Sequence, residues 1–105
     1  MNCAEYLVDF LIKNGVSDIF GYPGGYIVPF VDALYDRKNE IKTHVCYNEQ
    51  GCAYAADGYA RTSGKLGVYF TTSGPGAVNA FGGIADAWFD GIPLMGICGN
   101  VPTNE

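Results

Sequence analysis

The chain has 105 residues, a length typical of one small domain, and 49% of them are hydrophobic, so a core can form without disulfide or metal support. A net charge of −5 and the lack of an apolar run of about 18 residues argue against nucleic acid and membranes as partners. The start of the chain lacks the features of a signal peptide, and we therefore expect a cytoplasmic protein.

Apolar runs and turn residues predict an alternation of helices and strands along the whole chain. Asn2 and Glu5 form a capping box at the start of the first helix, and Pro29 is tolerated only in the first turn of the second. Glycine or polar residues follow each of the first three strands. The predicted elements are, in chain order, a helix ending at Gly15, a strand over 18–21, a helix over 26–35, a strand over 41–46, a helix over 49–62, a strand over 67–72, a helix over 77–89 and a strand over 94–98.

This alternation predicts an α/β fold, a parallel sheet with right-handed crossovers and helices on both faces, in a flavodoxin-like or Rossmann-like three-layer sandwich. The carboxyl ends of parallel strands meet at one edge, so the turns at 22–25, 47–49 and 72–76 should converge on one site. The chain ends soon after the fourth strand, which would leave a sheet edge open. We therefore expect residues 1–105 to be one domain of a longer chain, truncated after that strand.

Glu49 lies at one of these junctions, between the second strand and the third helix. One interpretation is a first-turn carboxylate that complements the helix dipole, and the local pattern alone favours it. The other is a partly buried acid with a raised pKa, which exchanges a proton with a bound cofactor. The small residues Ala53, Ala56 and Ala60 of the same helix permit close packing, either on the sheet or on a second protein surface.

Other motifs favour structural interpretations. The 74–76 segment precedes a helix but is not the start of a G-x-G-x-x-G motif, because residue 79 is Asn, so a dinucleotide site is weakly supported. His44 lies on a strand, and no cluster of other metal-ligating residues surrounds it in the sequence, so no metal site is predicted. The four scattered cysteines, which favour free buried thiols over a disulfide or zinc framework, are Cys3, Cys46, Cys52 and Cys98.

Taken together, the turns resemble the amino-terminal pyrimidine-binding domain of thiamine diphosphate-dependent enzymes. The likeness is greatest to the large subunit of acetolactate synthase (acetohydroxyacid synthase), and it extends over the whole chain in order and spacing. The segments that match are Phe20-Gly21-Tyr22-Pro23-Gly24-Gly25, Asn48-Glu49-Gln50-Gly51 with the helix that follows it, Thr72-Ser73-Gly74-Pro75-Gly76-Ala77-Val78-Asn79 and Gly99-Asn100-Val101-Pro102-Thr103.

The resemblance implies a thiamine diphosphate-binding fold and a part in 2-oxo acid decarboxylation and carbon–carbon bond formation. In this family a glutamate at the position of Glu49 hydrogen-bonds N1′ of the aminopyrimidine and thereby activates the cofactor, which makes Glu49 the catalytic residue. The residues that would line the pyrimidine ring by the same likeness are Pro23, Gly24, Thr72, Pro75 and Asn79, together with Glu49.

The family holds the diphosphate and its Mg²⁺ through a separate domain that carries a Gly-Asp-Gly motif, and this motif does not occur here. The resemblance therefore implies only the aminopyrimidine half of the site, with no metal ligands, no FAD bound by this part of the chain and no turnover by it alone. The expected partner is a diphosphate-binding domain of the same or another chain, in a dimer or tetramer of identical subunits. The helices at 53–60 and 77–89 are then candidates for the contact surface.

Two positions depart from the family. Asn48 stands where acetolactate synthases usually have His, and Asn100 stands where they have Gln. In the family, both positions lie close to the reacting centre. A related carboligase or decarboxylase that acts on another 2-oxo acid, or on a sugar-derived acceptor, is therefore the alternative. A non-catalytic interaction module that retains the fold is a second alternative.

Overall fold

The computed structural model describes residues 1–101 and shows four parallel strands in the order β2-β1-β3-β4, with helices packed on both faces of the sheet. The predicted α/β class is confirmed. The elements are α1 Cys3–Lys13, β1 Asp18–Gly21, a 3₁₀ turn Gly25–Ile27, α2 Val28–Asp36, β2 Lys42–Val45, α3 Glu49–Ser63, β3 Gly67–Thr71, α4 Pro75–Asn79, α5 Phe81–Asp90 and β4 Leu94–Cys98.

Local signals fix most of the helix ends. The side chain of Asn2 accepts a hydrogen bond from the backbone N–H of Glu5 at 2.8 Å, which caps α1 as the sequence predicts. Pro29 lies in the first turn of α2. Gly64 ends α3 with φ of 74°, a left-handed conformation that glycine adopts without strain.

The helix predicted over 77–89 is wrong in its extent. The structure has two helices there, α4 and α5, interrupted at Ala80, and α4 begins two residues earlier, at Pro75. Proline suits the first position of a helix because no N–H is needed there. Gly83 lowers helix propensity, and a Cβ added to it would lie 2.5 Å from the Ala53 Cβ. Close packing on α3, rather than the local pattern, therefore shapes this segment.

Each face of the sheet has its own hydrophobic core, because side chains alternate along the central strand β3. Val68 and Phe70 face α1 and α2, and the Phe70 ring meets the edge of the Phe30 ring at 5.7 Å. Tyr69 faces α3 on the other side. This alternation gives the three-layer sandwich that the sequence predicts.

The small-residue stripe of α3 packs inside the chain. Ala53 and Ala56 are fully buried and Ala60 is 3% exposed. Gly67 of β3 lies against the carbonyl of Ala56, and Gly83 of α5 lies against Ala53. The expectation that this stripe meets a partner is therefore wrong for these three alanines, because the sheet and α5 already cover them.

Arg61, in the last turn of α3, links this helix to α5. Arg61 Nε donates to the buried Asp57 carboxylate at 3.0 Å, within α3. Its Nη2 lies 3.1 Å from the Asp86 carboxylate and 2.8 Å from that of Asp90, both on α5. The hydrogen bond with Asp57 raises the pKa of Asp86, with burial second. These pairs and the glycine contacts fix the spacing of the two helices.

None of the described helices is long and apolar enough to cross a lipid bilayer. Across residues 1–101, no three side chains of His, Cys, Asp or Glu come together as a metal site. His44 instead stacks on Phe20 at 4.9 Å and hydrogen-bonds Asp18 at 2.8 Å.

The Asp18 carboxyl should give this chain an acid-dependent stability. The hydrogen bond with His44 lowers the pKa of Asp18 below its ordinary value, so this contribution is present above about pH 4 and is lost as the pH falls through the folded-state pKa. We expect His44→Phe, which keeps an aromatic ring on Phe20, to be less stable than the parent at pH 6. That difference should shrink towards pH 2. Urea unfolding at several pH values measures it, and a difference that stays constant with pH would contradict the prediction.

The four cysteines are free, but only Cys52 is fully buried; Cys46 is half-buried, whereas Cys3 and Cys98 are exposed, contrary to the expectation of buried thiols. Burial, followed by the neighbouring Cys46, raises the pKa of the Cys52 thiol to about 12. We expect iodoacetamide at pH 8 to alkylate Cys3 and Cys98 and to leave Cys52 protected, because its thiolate fraction is lower by on the order of a thousandfold. Mass spectrometry of the peptides measures this, and equal labelling in urea is the control. Rapid labelling of Cys52 in the folded chain would contradict it.

Candidate functional site

The turns after β1, β2 and β3 meet at the carboxyl edge of the sheet, as predicted. β1 and β3 are neighbours in the sheet. The chain runs from β1 to β2 on one side and from β3 to β4 on the other, and such opposite connections open a crevice for ligands at the carboxyl ends of the two strands. The first and third turns are in direct contact. A Cβ added to Gly24 would lie 2.6 Å from the Thr72 Cβ, and Thr72 Oγ1 accepts a hydrogen bond from the backbone N–H of Tyr26 at 3.3 Å.

Glu49 is the first residue of α3, and the residue before it fixes the start of the helix. Asn48 has extended backbone angles, and its Oδ1 accepts a hydrogen bond from the N–H of Gly51 at 2.7 Å. The half-buried Glu49 carboxylate therefore lies in the first turn, at the positive end of the helix dipole.

The third turn reaches Glu49 through α4. Asn79, the last residue of α4, donates a hydrogen bond from Nδ2 to Glu49 Oε1 at 3.1 Å. Gly76 lies between the two turns: a Cβ added there would be 3.0 Å from Thr72 Cγ2 and 3.8 Å from Glu49 Cγ. Contacts thus run continuously from Gly24 through Thr72 and Gly76 to Glu49 and Asn79.

A cleft of about 300 Å³ opens over this arrangement, lined by Asn48, Glu49, Gln50 and Asn79. Of these four residues one is a carboxylate, three are amides and none is basic. The lining can accept hydrogen bonds from a polar, uncharged group and donate hydrogen bonds to it. It supplies no cation for a phosphate.

The structure brings together four of the residues predicted for the site, Gly24, Thr72, Glu49 and Asn79. The other two lie on the same edge but are exposed: Pro23 precedes Gly24 in the first turn, and Pro75 begins α4 next to Gly76. Asn100 is also exposed, and its Oδ1 accepts a hydrogen bond from the Val101 N–H at 2.9 Å. The end of the fourth matching segment, Pro102-Thr103, lies outside the described residues.

Sequence reasoning missed three contributors to this site. Asn48 was identified only as a departure from the family, although an Asn directly before a helix is the usual signal of an N-cap. Gly76 was not singled out, although a glycine in the first turn of a helix often marks close packing. Gln50, which lines the cleft, gives no local signal of its role.

The whole chain, residues 1–105, matches the family described as "Thiamine pyrophosphate enzyme, N-terminal TPP binding domain". It is 52% identical over 101 residues to the acetolactate synthase isozyme 2 large subunit of Escherichia coli (strain K12), an alignment covering 96% of this chain and 18% of that protein. It is 50% identical over 98 residues to an acetolactate synthase of Arthrospira platensis, covering 91% and 17%. A probable acetolactate synthase large subunit of Methanocaldococcus jannaschii is 48% identical over 103 residues, covering 98% and 17%. The chain thus spans less than a fifth of the length of these curated relatives.

Proposed function

The chain belongs to the family of thiamine pyrophosphate enzyme N-terminal TPP-binding domains, and from this premise we propose that it forms the aminopyrimidine-binding half of a thiamine diphosphate site in a carboligase of acetolactate synthase type. The observation that carries the proposal is the Glu49 carboxylate, held by Asn79 at 3.1 Å in the polar cleft at the carboxyl edge of the sheet. Identity at about half of the aligned positions to an acetolactate synthase and to an acetolactate synthase large subunit supports the reaction class.

The residues present fit an aminopyrimidine. Gly24 and Gly76 allow the turns to lie against Thr72, which an added Cβ at either position would crowd, and this contact brings together the residues that we propose to line the ring. The cleft of about 300 Å³ offers the Glu49 carboxylate as an acceptor for a ring N–H and amides for the exocyclic nitrogen. In the proposal, Pro23, Thr72 and Pro75 complete the walls around the ring.

We assign to Glu49 the task of holding and releasing a proton at the ring nitrogen. Oε1 is engaged by Asn79, and Oε2 is therefore the oxygen that we assign to the cofactor. When bound, thiamine diphosphate would supply a carbon nucleophile for a 2-oxo acid and an electron sink for its decarboxylation. In the proposal, the rest of this half-site positions the ring.

The diphosphate and Mg²⁺ would be held elsewhere, because the described cleft has no basic side chain and residues 1–101 form no metal cluster. We propose that a diphosphate-binding domain of the same or a second chain completes the site within a homo-oligomer. Residues 1–105 would then act as the N-terminal domain of that enzyme, and any FAD would lie outside them.

A grafted enzyme tests the proposal. In it, this chain replaces the matching 101 residues of the Escherichia coli relative. We expect the grafted enzyme to bind thiamine diphosphate in the presence of Mg²⁺ and to form acetolactate. The isolated chain, titrated by calorimetry under the same conditions, should show no tight binding that depends on Mg²⁺.

Each result decides a different part of the proposal. A grafted enzyme that folds but binds no cofactor would overturn the pyrimidine-binding role and leave the interaction module. Cofactor binding without acetolactate formation would favour a carboligase or decarboxylase for another 2-oxo acid. Tight Mg²⁺-dependent binding by the isolated chain would overturn the half-site.

A further inference from the structure

We propose that Asn79 is a positioning residue for Glu49: its amide holds Oε1, so that Oε2 alone is left to share a proton with the cofactor. The inference rests on the proposed function, and it adds a residue that acts through Glu49 rather than by lining the ring. The hydrogen bond of 3.1 Å between Asn79 Nδ2 and Glu49 Oε1 is its starting point.

The break between α4 and α5 gives Asn79 this position. Asn79 is the last residue of α4, and Ala80 separates it from α5. The two partners lie 30 positions apart in the sequence, on different helices, so the bond between them depends on how α4 and α3 are placed.

Packing of α5 on α3 fixes that placement. A Cβ added to Gly83 would lie 2.5 Å from the Ala53 Cβ and 2.9 Å from the Tyr54 backbone nitrogen. Gly82 also approaches α3, less closely and against side chains: a Cβ there would lie 3.0 Å from the Tyr54 hydroxyl and 3.5 Å from Gln50 Nε2. Asn79 lies three residues before Gly82, so the packing of α5 on α3 limits how far its backbone can move from Glu49.

Among the described residues, Asn79 supplies a side-chain hydrogen bond to Glu49, and α4 brings no charged side chain near it. On α3 the titratable neighbour is the Cys52 thiol, and the strand end before α3 adds Cys46 and Tyr47. α4 has no titratable side chain, and the turn before it contributes only the hydroxyls of residues 72 and 73. No basic residue lines the described cleft. The Asn79 amide is therefore the donor that decides which Glu49 oxygen stays free.

Nitrogen-15 NMR of the side-chain amides, recorded on the full 105-residue chain, tests the contact. We expect Glu49→Ala to shift the Asn79 side-chain amide signals, because it removes the acceptor of their hydrogen bond. Val78→Ala is the control: it changes an exposed side chain of α4 one residue away and leaves the acceptor of the Asn79 amide in place.

Asn79 amide signals that are unchanged in Glu49→Ala would overturn the inference, and so would an equal shift in Val78→Ala. In the grafted enzyme we expect Asn79→Ala to lower kcat by about tenfold with little change in KM, whereas Val78→Ala should leave both unchanged. A change in KM alone would place Asn79 on the ring instead. Failure of the proposed function is seen separately, as full activity in Glu49→Gln.

Discussion

Glu49→Gln in the grafted enzyme is expected to slow the exchange of the C2 proton of bound thiamine diphosphate, and the formation of acetolactate, by about 10²- to 10⁴-fold. Gln keeps the length and shape of Glu, and its carbonyl oxygen can still accept the hydrogen bond that Asn79 donates to Oε1. The Gln amide cannot take up or release a proton near neutral pH. The loss would therefore report proton transfer rather than a collapsed cleft.

Hydrogen–deuterium exchange at C2, followed by proton NMR after acid quenching, measures the step directly, and calorimetry shows whether the cofactor is bound. Glu40→Gln is the matched control. Glu40 is exposed, and its partner within residues 1–101 is Arg37 at 2.8 Å, so the same chemical change there should leave the exchange rate within about twofold. An exchange rate in Glu49→Gln that equals the parent's would contradict the assigned role. Loss of cofactor binding with normal exchange in the fraction still bound would reduce Glu49 to a binding contact.

Much of the fold follows from the sequence because its signals are local. The strands over 18–21 and 94–98 are found where short apolar runs predict them, and α3 begins at Glu49 as expected. The break at Ala80 was not predictable in this way. It depends on how closely α5 approaches α3 at Gly83, and no periodicity within one helix encodes that distance.

In the candidate site, too, the residues with local signals were predicted and the contacts between them were not. Glu49 and Asn79 were both identified from motifs, but nothing in a motif says that two residues 30 positions apart share a hydrogen bond. The small-residue stripe shows the converse difficulty. Ala53 and Ala56 permit close packing on any surface, and only the tertiary structure shows that the surface belongs to the chain itself.

Gly67→Ala should destabilise the chain by about 1 to 3 kcal/mol, the usual cost of overpacking. Gly67 begins β3 and is buried, and its N–H donates to the Pro93 carbonyl at 3.0 Å. An added Cβ would overlap the carbonyl oxygen of Ala56 and lie 3.3 Å from the Ala60 Cβ. Because the nearest obstacle is backbone, no rotation of a side chain can relieve the overlap, and α3 must move away from the sheet.

Gly58→Ala is the matched change, and its effect should have the opposite sign. Gly58 is exposed in the interior of α3, two residues from Ala56, and an added Cβ would meet nothing within 4 Å. Alanine there should stabilise the chain by about 0.5 to 1 kcal/mol, because it costs less backbone entropy than glycine in a helix. Urea unfolding of both variants measures the two free energies. If Gly67→Ala were as stable as the parent, α3 would not pack as closely on β3 as described. The distance from the sheet at which α3 holds Glu49 would then also be wrong.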